Sequence, residues 1–400
     1  MPRPLMPAPL PRLARQRSTA SRALHLAGAS VLAAALPAQA GAAEGQGGPF
    51  PPTLPEFEVT GTFSRQGDVV RAQDFEGTVG GMPVRGSLTV DLGGKPYVEG
   101  SLTSERLDWA DLRALLAALP RAEGPPPDGG PFPETRLPGD VLGRADGRVE
   151  LRVVRLVDAP VPVTSVRTQA RLEDRRLGLK PLEVEAVGGR ISGEAALNAR
   201  EQPQSADLRV GFKGIELKRF AAGSDYEATT SGHLAGGVSV LGVGGTLDDL
   251  LATLQGDAWI AIEDGTLSAR LVELVGVDVL EALVMEVKED EPVAIRCGRA
   301  DLVVDHGVVE IRRLLIDTAD AVLVGGGRID LGKEELDLSL EARAKDFSLI
   351  DAAAPVLIRG PLGQPEISVG PMKGLPLFEM GDQEPLDCAA LLAPPEPGRR

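Results

Sequence analysis

Residues 57–63 read Phe-Glu-Val-Thr-Gly-Thr-Phe, so that Phe57, Val59, Gly61 and Phe63 alternate with Glu58, Thr60 and Thr62. A two-residue period sends successive side chains to opposite faces, which is the mark of a strand with one apolar and one polar face. The same alternation returns in Val84, Gly86, Leu88, Val90 and Leu92, and in Leu336, Leu338 and Leu340 between polar neighbours. Turn signals at Gly93-Gly94, Asp146-Gly147, Asp264-Gly265 and Asp305-His306-Gly307 punctuate these runs. Short strands separated by such turns predict a mainly antiparallel sheet.

A loose unit recurs. Val79-Gly80-Gly81, Val187-Gly188-Gly189 and Val324-Gly325-Gly326 each introduce a strand, a polar turn and a second strand, which predicts stacked hairpin modules sharing one apolar face. Helical spacing is confined to three places. Trp109, Leu112, Leu115, Leu116 and Leu119 precede Pro120, and Thr246 with Asp249 forms a capping-box start for a helix through Leu250, Leu251 and Leu254. A third stretch, Leu267 to Val287, predicts a helix lying across the sheet. The Pro- and Gly-rich segment 120–138 reads as a linker, and residues 393–400 as a disordered tail.

Composition narrows the function. The 400 residues carry a formal net charge of -16, and no basic stripe exists to follow a phosphate backbone, so nucleic acid is excluded as a partner. Aromatic residues make up only 3%, leaving the apolar mass to aliphatic side chains. Arg3, Arg12, Arg15, Arg17 and Arg22 precede an apolar run from Ala23 to Leu36 and then Ala38-Gln39-Ala40. This pattern predicts a signal peptide over 1–40, the alternatives being an uncleaved anchor or a disordered tail. After export, Cys297 and Cys388 are free to pair in an oxidising compartment.

Motifs with chemical potential are few. Gly242-Val243-Gly244-Gly245 lies between a strand and a helix, but it has no lysine, and Asp248 and Asp249 occupy the first helical turn where an anion would be repelled. It reads as a tight strand-to-helix turn. Asp305-His306-Gly307 reads as a hairpin turn, since no Gly-x-Ser-x-Gly elbow exists to complete a hydrolase triad. The acidic residues fall on the polar phase and predict a solvated face. The apolar phase either closes as a sandwich core or stays open as an aliphatic trough, and pattern alone leaves both open.

The order of several short pieces resembles the AsmA family over about residues 57–392. They are Gly242-Val-Gly-Gly-Thr-Leu-Asp-Asp-Leu-Leu, Arg296-Cys297, Leu315-Ile316-Asp317-Thr318, Gly325-Gly326-Gly327-Arg328-Ile329-Asp330-Leu331, Lys345, Pro355-Val356-Leu357-Ile358-Arg359-Gly360-Pro361 and Leu386-Asp387-Cys388-Ala389-Ala390-Leu391. The resemblance implies a mainly β protein: a long, twisted antiparallel sheet forming a taco-like repeating β-groove with a few short helices. About eighteen strands would give a trough of roughly 85 Å, short for bridging two membranes alone. Under this reading 41–119 is a first β module and 139–392 the AsmA-like groove region.

The resemblance also implies a non-enzymatic protein of the Gram-negative periplasm, inner-membrane associated if the leader is retained, that needs no cofactor or metal. Its partners would be phospholipid acyl chains, passed between inner and outer membranes, or other envelope proteins if it acts as an assembly scaffold. The expected groove lining is Val84, Leu88, Ile191, Leu197, Ile260, Ile262, Leu336, Leu338 and Leu340. A Cys297 to Cys388 disulfide is expected, since both fall in the C-terminal module; the alternative is two free thiols.

Overall fold

The computed structural model describes residues 57–79, 82–111, 137, 139–159, 162–220, 227–268, 292–319, 321–345, 355–371 and 386–393. These form one sheet of nineteen strands. The first part comprises β1 (Phe57–Gln66), β2 (Val69–Val79), β3 (Met82–Asp91), β4 (Tyr97–Ser104), β5 (Leu107–Asp108), β6 (Asp146–Val153) and β7 (Leu156–Val157). The middle holds β8 (Val163–Glu173), β9 (Arg176–Ala186), β10 (Gly189–Asn198), β11 (Gln204–Glu216), β12 (Ser231–Gly244) and β13 (Gln255–Ser268). The last part is β14 (Pro292–Asp305), β15 (Val308–Thr318), β16 (Ala321–Asp330), β17 (Glu335–Ala344), β18 (Val356–Pro361) and β19 (Glu366–Val369). Three short α-helices accompany them: α1 (Gly139–Leu142), α2 (Leu247–Ala252) and α3 (Cys388–Leu392).

Most strands pair antiparallel with their sequence neighbours, but between β4 and β8 the order changes: β4 pairs with β6 and β5 with β7 in parallel, and β6 and β7 both pair antiparallel with β8. A parallel pair needs a long crossover, and this one spans the segment expected as a linker, most of which lies outside the described residues. The sheet therefore runs unbroken from the 41–119 region into 139–392. Among the described residues β1 pairs only with β2 and β19 only with β18, so both edges are open there. Because β5 and β7 prolong β4 and β6, seventeen strand positions set the length of the sheet, roughly 75 Å at about 4.8 Å spacing.

Bulges keep the apolar phase on one side. Val70 and Ala72 point the same way as Phe75 because the register shifts between Ala72 and Phe75, where Asp74 takes φ 49. Without the extra residue Phe75 would turn to the polar face, since a one-residue slip inverts every side chain beyond it. The same correction occurs between Lys213 and Ile215 and between Ile311 and Leu314.

Several local expectations are corrected. Asp146-Gly147 and Asp264-Gly265 are not turns: they lie within β6 and β13, and Asp264, at φ 48, is the extra residue of a bulge. Val187-Gly188-Gly189 does form a hairpin corner, whereas Val324-Gly325-Gly326 lies inside β16, so the three copies are not equivalent. Leu267 and Ser268 belong to β13; the remainder of the expected 267–287 helix is outside the described residues, as is most of that expected over 109–119. Among the described residues no helix is long and apolar enough to cross a membrane.

Candidate functional site

Residues directly opposite each other in a strand pair share a face, so the register traces the apolar surface across the sheet. One row runs from Ile191 through Phe212, Gly236, Ile260, Ala300, Leu314 and Gly325 to Leu340. A second runs from Leu88 through Gly100, Val149, Ala170, Leu179 and Ala195 to Leu208, then by Val240, Gly256, Val304, Val309 and Ile329 to Leu336. Leu338 faces Gly327 and Ile358, Ile262 faces Leu234 and Gly298, and Leu197 faces Leu177 and Ala206. Val84 shares the alternation of Leu88 along β3. All nine predicted lining residues thus stand on one face.

They are not equally accessible. Ile262 is buried, Ile260 is exposed, and the other seven are half-buried. No second sheet covers this face among the described residues. Large side chains instead lean over neighbouring glycines: a Cβ on Gly236 would sit 2.2 Å from Phe212 Cζ, and one on Gly325 2.3 Å from Leu314 Cδ2. The alternation of Gly and aliphatic residues across strands makes a shallow, continuous hydrocarbon floor.

One helix crosses that floor. At the strand ends where β12 gives way to β13, α2 lies over the apolar face and bounds a cleft of about 570 Å³. Its position is fixed at both ends. Thr246 Oγ1 accepts from the Asp249 N–H at 3.1 Å, while Asp249 Oδ2 accepts from the N–H groups of Gly245 at 3.0 Å and Thr246 at 3.1 Å. Thr253 Oγ1 ties the other end to β12, donating to Val243 O at 2.6 Å and accepting from Val243 N at 2.8 Å.

The glycines of residues 242–245 therefore serve packing. A Cβ on Gly242 would lie 2.6 Å from Leu250 O, and one on Gly244 2.2 Å from Asp249 Cβ. Two of the loop's N–H groups, which an anion would need, are already taken by Asp249. Its carboxyl is held below the usual carboxylate range, chiefly by the hydrogen bond from Gly245.

The polar face carries a buried cluster under α3. Cys297 and Cys388 are bonded, with an S–S distance of 1.99 Å. Asp317, completely buried, accepts from Arg296 at 2.8 Å and pairs with Lys345. Arg299 is 2% exposed; it donates to Asp301 Oδ1 at 2.7 Å and to the Ala393 carbonyl at 2.8 Å, and its guanidinium lies 4.6 Å from the centre of the Trp259 ring. Asp387 caps α3 by accepting from the N–H groups of Ala389 and Ala390.

Asp317 thus corrects the expectation that every acidic residue is solvated: it lies on the polar phase, yet the C-terminal segment covers it. Pattern reading missed this centre, although its parts lie in the Arg296-Cys297, Leu315 to Thr318, Lys345 and Leu386 to Leu391 pieces already singled out. The sulfurs of Cys297 and Cys388 and a carboxylate oxygen of Asp317 lie within 4.8 Å of one another. With the sulfurs bonded and the carboxylate paired with two cations, they make no metal site.

His306 Nδ1 lies 2.7 Å from Asp305 Oδ1 in the exposed turn between β14 and β15. The described residues thus offer a hydrocarbon floor and a structural latch.

The AsmA family sequence profile matches residues 69–314. The chain belongs to the AsmA family. It is 25% identical over 351 residues to the AsmA family protein YhjG of Escherichia coli strain K12, an alignment covering 82% of this chain and 51% of that protein. The chain thus spans about half the length of the curated relative it matches. No solved structure matches it. The AsmA profile extends from β2 to the middle of β15, so it takes in the parallel β4–β6 junction and the α2 roof. The disulfide partner Cys388 and Lys345 lie beyond its end.

Proposed function

We propose that the apolar face is a trough for phospholipid acyl chains, and that the protein carries lipid between the inner and outer membranes through the periplasm without performing chemistry. The observation that carries this reading is the single aliphatic surface that continues from β3 to β18 and stays half-exposed. Exposed apolar area costs about 25 cal/mol per Å² in water, so a face of this length calls for a hydrocarbon occupant. AsmA membership supports an envelope-associated, non-enzymatic role. The second reading, a scaffold for outer-membrane assembly, draws on the β19 edge, where Ile367 is 53% and Val369 47% exposed and the outer side of the strand has no partner among the described residues.

Photocrosslinking in living cells separates the two. A photoreactive residue at Leu338 should capture lipid, while one at Asp337, on the polar phase beside Arg359, should not. Protein adducts along β19 with no lipid at any of the nine lining positions would replace the carrier with the scaffold.

A further inference from the structure

The trough is not uniform. Under α2 the floor residues Leu197, Leu208, Val240 and Leu302 remain half-buried although a helix lies over them. Leu247, Leu251 and Leu254 of the roof are half-buried too, and only Leu250 is buried. A helix packed closely on a sheet would leave little room between them; here the cleft measures about 570 Å³. Neither does the roof simply settle, because the capping box, the Thr253 clamp and the β14–β15 turn all hold it. Gly307 donates its N–H to Leu254 O at 2.9 Å, and a Cβ there would lie 2.6 Å from Leu251 O.

The walls say what fits. Among the described residues, Asp207 is the one charged residue lining the cleft, and no aromatic ring lines it. Water needs two to four polar partners to occupy such a space, and these walls do not supply them. An aromatic ligand would find no ring to stack on, and a polar one no donor to orient it.

We propose that the cleft beneath α2 is a fixed seat for one acyl chain of a phospholipid, a holding point within the trough. This rests on the carrier reading above. The roof leucines cover one side of the chain and the floor leucines the other, while the headgroup stays in water at the open side.

The test titrates the delipidated full chain with a phospholipid bearing one parinaroyl chain, whose fluorescence rises in an apolar site. One saturable site per protein is expected. Ala258→Phe, which fills the floor, should weaken it at least ten-fold, while Asp337→Phe, on the opposite, polar face, should leave it within two-fold. Should Ala258→Phe fail to fold, a photoreactive residue at Leu251 on the roof decides, and a lipid adduct there supports the seat. Lipid adducts at Leu338 with none at Leu251, or a tight site indifferent to Ala258→Phe, overturn the seat and leave the carrier standing. No lipid at either position removes both. Binding of free parinaric acid without binding of the phospholipid overturns the assignment of the ligand.

Discussion

At the residue scale, Asp249 does most to fix the roof, since one carboxyl closes the loop before the helix and completes its cap. Replacing an N-terminal capping group typically costs about 1 kcal/mol, and Asp249→Ala should lower the urea midpoint accordingly. The folded-state pKa of Asp249 is lowered from 3.8, so its contribution is fully present above that value. It is lost as the pH falls through the lower, folded value. The gap between the unaltered protein and Asp249→Ala should therefore be constant from pH 5 to 7 and close in stronger acid; a gap that widens there would contradict the assignment. Asp317 poses a heavier case. Asp317→Ala would leave the nearly buried Lys345, 11% exposed, without its counter-charge and with the Thr318 carbonyl as an acceptor, and loss of one partner from a buried pair costs about 3 kcal/mol or more. Thermal unfolding reads this directly, and a loss under 1 kcal/mol would show that Lys345 finds water.

At the element scale, α3 is only five residues long and packs on β13 and β14 through the disulfide, Leu391 and the Arg299 contact to its C-terminal end. The bridge joins cysteines 91 positions apart, and closing a loop of that size stabilises by about 4 kcal/mol in the chain-entropy account. In unreduced, unfolded protein neither cysteine should take up an alkylating reagent, and Cys388→Ser should lower stability by an amount of that order. Alkylation of both would leave α3 without its tether. The elements themselves were largely legible. The alternation around Val84 to Val90 and Leu336 to Leu340 locates strands, and Thr246 with Asp249 locates α2, because both signals are local. Bulges were not legible: Ala72 and Phe75, or Leu179 and Leu182, break the two-residue period, and only the facing strand reveals that they still share a side. The burial of Asp317 was hidden for the same reason, since it depends on a segment seventy residues further along. Val324-Gly325-Gly326 misled because glycine in a strand serves close packing as well as corners.

At the scale of the whole molecule, the nine expected lining positions share one surface because the sheet is open and each strand meets only the strands beside it, in a meander interrupted once by the parallel β4–β6 crossover. Such an architecture has no common core to couple its ends, and its stability is a sum over adjacent strand pairs, as in repeat proteins. The buried cluster around Ala186, Val187 and Ile215 is local to β8–β12. Unfolding should therefore spread along the sheet in steps. Gly86→Val tests this, because a Cβ at Gly86 would lie 1.9 Å from the Ser101 carbonyl oxygen and force β3 away from β4. Native-state hydrogen exchange should show protection falling at least ten-fold in β2–β4 and unchanged from β11 to β17. Protection falling together in every strand would mean a single cooperative unit, and with it a closed core in place of an open trough. The local outcome bears on the proposed carrier role, since a trough whose parts loosen independently would widen around an acyl chain without losing its fold.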